Sequence, residues 1–354
     1  MTRCILLASL LLILPALTLP ALAQNAAPAP ADSAPVPEMT REQKLTQYRR
    51  DQINLLALRP QPESVLAAAL LADADTDDES RPAALKPAAL LKRAQAIGEN
   101  SAIVWWVSAA ADCRADAKLC PATETLQKLE SLDAENAAVW MLSMWRAQQA
   151  NDAPAARAAL TSAARAKRYN DYFGALVSAV YEAQDVLPMS KELLAATGAD
   201  ASVAGYRLVT AANLVLDKVA LPGGRALAQA CRNSDPSDTA LVTDCTAVAR
   251  KMELSGSLFA QNAGLALREE LLPASPERDA LQARKRSLAW QMQRMSELAG
   301  SLANDPGVTR TYTQALAASG DESAAVSAVL RSKGIGLEPP PDWHAAAPKA
   351  EFKP

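Results

Sequence analysis

Two stretches of this chain read alike. Glu99-Asn100-Ser101-Ala102-Ile103-Val104-Trp105-Trp106 and Glu135-Asn136-Ala137-Ala138-Val139-Trp140-Met141-Leu142 begin 36 residues apart, and Asn170-Asp171-Tyr172-Phe173 follows 34 residues after Asn136. Such an interval is one helix–turn–helix unit, and a unit that cannot bury its apolar side alone must stack on the next. Each asparagine stands directly before an Ala-rich run, where its side-chain oxygen can accept from an orphaned N–H of the first helical turn. The pattern predicts an all-α chain of helical hairpins stacked as an α-solenoid, with no sheet.

Composition agrees with close helix packing. Half of the residues are hydrophobic but only 4% are aromatic, so a core must be built from Ala, Leu and Val. Alternating β-branched segments are almost absent.

The second unit resembles a tetratricopeptide repeat. Trp140 stands at the large residue of the first helix, Asn151-Asp152 replaces the family's Gly-Asp turn, Ala156 and Ala163 take its small positions, and Asp133-Ala134 stands where Asp-Pro usually leads in; Ser143, Met144 and Ala147 depart from the pattern. A shorter match follows the same order at Asp305-Pro306, Tyr312, Gly320-Asp321 and Ala325, whereas residues 171–300 show helices without a clear period. The resemblance implies that Trp140 packs inside its hairpin, while Met141, Trp145, Gln148 and Gln149 face an inner, ligand-binding side, joined by Tyr172 and Glu182 of the third unit. Trp140 and Trp145 are five positions apart and point in directions about 140° different, so both cannot serve one narrow core face. The alternative for Trp145 is burial against the next hairpin.

The N-terminus carries an address. Arg3, an apolar run from Ile5 to Leu19 broken by Pro15, and Ala21-Leu22-Ala23 before Gln24 make a secretory signal peptide over residues 1–23, cleaved after Ala23. The run is shorter than the ~20 residues of a membrane span. Export to a bacterial periplasm or beyond is therefore expected. Residues 24–38 read as a disordered Ala/Pro-rich leader, residues 39–337 as the helical-repeat domain, and residues 338–354 as a flexible Pro-rich tail that Trp343 can dock.

Without the signal, 35 basic residues stand against 39 acidic ones, a net charge of −4. That mild acidity argues against nucleic acid as a partner, because phosphate binding needs a basic face. No later stretch is apolar enough for a membrane span. Four cysteines remain, and in an oxidising compartment an even number favours disulfides. Cys113 and Cys120 flank a turn and are expected to pair, as are Cys231 and Cys245 across Asp235-Pro236; the spacings do not suit a zinc site.

Thr40 and Gln43 have capping-box spacing and open a helix over about 41–58, and Pro62 opens a second. The acidic run from Asp73 to Glu79 has carboxylates at calcium-loop spacing but Asp78 and Ala84 where such a loop needs Gly and Glu, so it reads as a solvated connection. Further helices are predicted over about 188–197, 203–219, 223–232, 237–253, 257–272, 277–299, 307–318 and 321–332. The 277–299 segment is the longest, with Leu281, Leu288, Met292, Met295 and Ala299 on one stripe and Arg278, Arg284, Arg286 and Arg294 on a solvated face.

Chemistry is scarce. The single histidine, His344, lies in the tail, and no nucleophile, P-loop or metalloprotease motif is present. Pro222-Gly223-Gly224-Arg225 reads as a turn into a helix. Glu322-Ser323-Ala324, with Gly334 and Gly336-Leu337 downstream, resembles the opening of a lytic transglycosylase catalytic domain, and that resemblance implies Glu322 as a general acid on peptidoglycan. The family's Met-Gln after Gly-Leu is missing, and only 17 residues follow Leu337. The expected function is thus non-catalytic binding of a protein or peptide in the cell envelope, with no cofactor and no metal. A glycan-cleaving enzyme using Glu322, or a structural envelope protein without a ligand, are the alternatives.

Overall fold

Thr40 and Gln43 exchange bonds: the Thr40 hydroxyl accepts from Gln43 N–H at 3.2 Å and the Gln43 side chain accepts from Thr40 N–H at 2.8 Å. This reciprocal cap satisfies two donors that the first turn of a helix leaves open and starts α1 (Arg41–Ala57). The computed structural model describes residues 39–74, 81–114, 119–219, 223–232 and 237–344. The expected signal peptide and leader, most of the acidic run (residues 75–79), Pro222 and residues 345–354 lie outside the described residues.

The described residues form helices and contain no strand. In chain order, α1 packs on α2 (Pro62–Ala74) and α2 on α3 (Pro87–Ile97); α4 (Ala102–Arg114) pairs with α5 (Thr123–Asp133), and α6 (Ala137–Gln149) with α7 (Ala153–Arg165). Then follow α8 (Phe173–Ala183), the short α9 (Lys191–Thr197), α10 (Val203–Val219) and α11 (Gly223–Arg232). The hairpin of α12 (Thr239–Glu253) and α13 (Leu258–Leu271) leads to α14 (Pro276–Glu297), α15 (Ala299–Asn304) and a last hairpin, α16 (Pro306–Ser319) with α17 (Glu322–Ser332). Sequence reading ends the long helix at 299 and leaves residues 300–306 as a connection; it misses the short α15 because Leu298 both ends α14 and opens α15, with no proline between them.

Hairpins stack on hairpins, but two of the stackings skip along the chain. The helices α11 and α12 lie on α6 and α7, and α16 lies on α8 and α10. The helix α6 therefore has two covered sides: Val139 and Leu142 enter one core with Leu66, Leu129 and Leu176, while Met141 and Met144 enter a second with Leu160, Leu227 and Met252. A helix apolar nearly all round, as Ala137–Trp145 is, requires this double burial.

Two hairpin turns use one device. Asn151 (φ 57°) precedes Asp152, the N-cap of α7, and Gly320 (φ 65°) precedes Asp321, the N-cap of α17. The left-handed residue turns the chain and the aspartate receives the new helix's N–H groups. Gly320 also lies against Gly174 of α8, where an added Cβ would collide with the Gly320 carbonyl. That contact seats the last hairpin on α8.

The repeat register differs by one residue from its reading in the sequence. Asn136 caps α6 by accepting from Ala138 N–H at 3.1 Å, but Asn100 stands in a turn and Ser101 directly precedes α4. The structural equivalents are then Trp105 and Trp140, and each indole N–H donates to the carbonyl six residues earlier, Glu99 at 3.0 Å and Ala134 at 2.7 Å. Both helices follow the same turn, Ser101 N–H donating to Gly98 O at 2.9 Å and Asn136 N–H to Asp133 O at 3.0 Å, so the repeated Glu-Asn pair is offset by one residue from the structural match.

Cys113 bonds to Cys120 between α4 and α5, and Cys231 to Cys245 between α11 and α12. No described helix is long and apolar enough to cross a membrane.

Candidate functional site

The six residues assigned to a ligand-facing groove do not share an open surface. Met141 is 1% exposed within the second core, and Trp145 packs against the same core. Gln148 donates to Ala226 O of α11 at 3.3 Å. Gln149 spans Cys120, accepting from its N–H at 3.2 Å and donating to its carbonyl at 2.9 Å. What covers this side of α6 is α11, which arrives from about 80 residues further along the chain. Tyr172, the N-cap of α8, is buried with its hydroxyl donating to Asp133 and its ring 5.3 Å from Trp106, whereas Glu182 of α8 is exposed and accepts from the Ser178 hydroxyl at 3.3 Å.

A polar cavity of about 190 Å³ opens where three loops meet, lined by Tyr169, Asp171, Gly174, Ser257, Gly320 and Asp321 among others. Phe173 N–H donates to Asp171 at 3.2 Å, and the Ser257 hydroxyl also bonds to this carboxyl, whose pKa burial raises above the usual carboxylate range. Next to it, at the first turn of α17, Glu322 accepts from Leu258 N–H at 3.0 Å. Burial pushes the Glu322 carboxyl up to about 7, with the Leu258 bond opposing and Asp171 and Asp321 adding to the rise. Burial likewise raises the phenols of Tyr169 and Tyr312. Glu322 serves as an acceptor for the first turn of α13 and is not among the residues that line the cavity.

A third arrangement lies on α14. Two rows at four-residue spacing, Arg286-Trp290-Arg294 and Ser287-Gln291, stand side by side on its surface, as helical periodicity requires. The chain after α17 runs along them. Trp290 Nε1 donates to Gly336 O at 2.9 Å and Gln291 Nε2 to Leu337 O at 3.1 Å, while the Ser287 hydroxyl bonds to the Glu338 carboxylate. The Arg286 guanidinium gathers the carbonyls of Pro340 (2.7 Å), Pro341 (3.0 Å) and Trp343 (2.5 Å). The Trp343 ring meets Trp290 edge-on, with centroids 5.5 Å apart, beneath Arg286 at 5.7 Å; Arg294 covers Trp290 at 4.4 Å.

The described start of the expected tail, Glu338 to Trp343, thus lies along α14, on the face read as solvated. The prolines offer carbonyl acceptors but no N–H donors, and the Arg286 guanidinium supplies a fork of donors to these carbonyls and to that of Trp343. The signal available in the sequence was the Arg-x₃-Trp-x₃-Arg row together with a Pro-Pro-Pro-Asp-Trp segment; it was missed because the two lie about 50 residues apart. No protein-family model matches the chain, and neither a curated protein nor a solved structure does.

Proposed function

We propose that this is an exported, non-catalytic protein of stacked helical hairpins, tetratricopeptide-like in plan, that binds an extended segment of another protein in the cell envelope. The observation supporting it most is the way α14 takes up chain: four side chains reach out to an extended segment, and Arg286, Trp290 and Gln291 take only main-chain oxygens. Such contacts recognise a backbone rather than one folded surface. The signal sequence and two disulfides agree with an oxidising compartment. To test the reading, the full chain with its tail loosened by Pro340→Gly and Trp343→Ala is titrated with a labelled peptide copying residues 335–344. Saturable binding, lost on Arg286→Ala, is expected; absence of binding by any extended peptide overturns the reading.

The second reading is glycan cleavage with Glu322 as general acid. In its favour stands a carboxyl raised to about 7, the range a general acid needs at neutral pH. Against it stands the engagement of that carboxyl with Leu258 N–H. Muropeptide release from peptidoglycan that disappears in Glu322→Gln would establish it.

A further inference from the structure

The tail on α14 has a definite shape. Trp343 N–H donates to Pro340 O at 3.1 Å, closing a turn in which Pro341 holds the second position. A pyrrolidine ring presets the backbone angle needed there. The turn directs three carbonyls at the single guanidinium of Arg286 and returns the Trp343 ring to the edge of Trp290.

We infer that the Arg286–Trp290 face of α14 is a receptor for proline turns, taking a Pro-Pro-x-aromatic segment of a partner protein, and that the chain's own Pro340–Trp343 is a resident ligand which that segment displaces. The inference rests on the peptide-binding reading above and names the ligand of that site.

Three observations carry it. First, the docked segment is shallow: none of the residues from Glu338 to His344 is buried, and Pro340 and Pro341 are exposed. Solvated hydrogen bonds of this kind hold a segment without committing it, because water competes for every donor. Second, open space adjoins the start of the docked segment. Between α13 and α14 a cavity of about 370 Å³ remains open beside Glu338, lined by Gln261, Leu265, Arg284, Ser287 and Gln291 among others. A segment longer than this tail has room there. Third, the specificity elements are few and chemical: main-chain carbonyls fixed by proline and one ring at a set distance after them. Any chain offering these fits, and its prolines lower the ordering cost of binding.

Competition between peptides tests the inference on the full chain. Three labelled peptides spanning residues 335–344 are compared by fluorescence anisotropy: the native sequence, one with Gly at both Pro340 and Pro341, and one with Ala at Trp343. The receptor is the full chain with its own tail loosened by Pro340→Gly, Pro341→Gly and Trp343→Ala, changes in exposed or half-exposed positions; an unchanged circular-dichroism melt confirms its fold. The native peptide is expected to bind about tenfold tighter than the glycine peptide, from two lost backbone restraints. It should also bind the loosened chain several-fold tighter than the intact chain, whose tail competes. Equal affinity for native and glycine peptides overturns the proline-turn receptor while leaving peptide binding in place. Equal affinity of intact and loosened chains overturns the resident-ligand claim. Failure of all three peptides overturns this inference and the peptide-binding reading together. Dimers that form only with an intact tail and dissociate on adding peptide would reassign the ligand to a second copy of this chain, which also overturns the inference.

Discussion

Asn136, the N-cap of α6, and Asn170, in the loop before α8, hydrogen-bond to each other in both directions. Asn136 Nδ2 donates to Asn170 O at 2.8 Å, and Asn170 N–H donates to Asn136 Oδ1 at 2.9 Å. Asn136 is fully buried and spends its remaining capacity on Ala138 N–H at 3.1 Å and the Asp133 carboxylate at 2.9 Å. One side chain thereby caps a helix and ties its hairpin to the start of the next.

Removing that side chain should be costly. Asn136→Ala leaves buried partners unsatisfied, for an expected loss of about 2–4 kcal/mol in denaturant unfolding. Asn136→Asp should do no better, because it loses both donors and sets a carboxylate against Asp133. A loss below about 0.5 kcal/mol in both variants would refute the role of this knot.

Stability should depend on pH through Glu322. The folded carboxyl keeps its proton up to about pH 7, against an ordinary value of 4.5, so the folded state binds more protons between those values. Stability therefore falls as pH rises from about 4.5 to about 7 and levels off above, by on the order of 3 kcal/mol. Asp171, raised by burial, adds a fall of the same sign. Chemical unfolding of Glu322→Gln across this range should show a flatter profile; an unaltered slope would assign the dependence elsewhere.

Glu253 holds three helices together. Its side chain, 1% exposed, pairs with Arg268 of α13 and Arg284 of α14, and Arg268, 8% exposed, also reaches Glu277 at 2.5 Å. Breaking such a pair from one side strands a buried charge, so Glu253→Gln is expected to cost about 3–5 kcal/mol. The double replacement Glu253→Leu with Arg268→Met should recover most of that loss. A double variant as unstable as the single one would show that packing, not the stranded charge, is the cause.

Backbones meet closely at Gly205. The Ala303 carbonyl, near the end of α15, accepts from Ser202 N–H and from the Ser202 hydroxyl, both at 2.9 Å, and a Cβ at Gly205 would collide with that same carbonyl. Gly205→Ala should lower stability by about 1–3 kcal/mol, although alanine is the better helix former. A stabilised variant would show that α10 and α15 are free to separate.

Reduction should act unevenly along the chain. Cys231 and Cys245 are buried in the second core, while Cys113 is half-exposed at the end of α4. Replacing Cys231 and Cys245 by alanine is expected to cost about 3 kcal/mol from the loop it opens, plus the loss of core packing. Mass mapping under mild reductant should find Cys113–Cys120 open first; the reverse order would contradict the burial of the second pair.

Much of this molecule was written locally. Thr40 with Gln43 marked the first helix start, and prolines and glycines such as Pro62, Pro306 and Gly320 bounded others, because caps and turns act within about four residues. The cysteine partners were legible because each pair sits across a single connection. The site was not. Met141, Trp145 and Gln148 were assigned to a ligand-facing side, yet α11 lies over them; a face's chemistry does not say which distant helix will cover it.

The sequence by itself determined most of the helices, many of their ends and the disulfide partners, because each follows from side chains near one another in the chain. Only the tertiary structure decided that α11 covers α6, that Glu322 meets Leu258 and Asp171, and that a proline turn rests on Arg286. Those contacts join residues some 50 to 150 positions apart. Burial and desolvation, which set them, are properties of what surrounds a residue in space and leave no periodic trace along the chain.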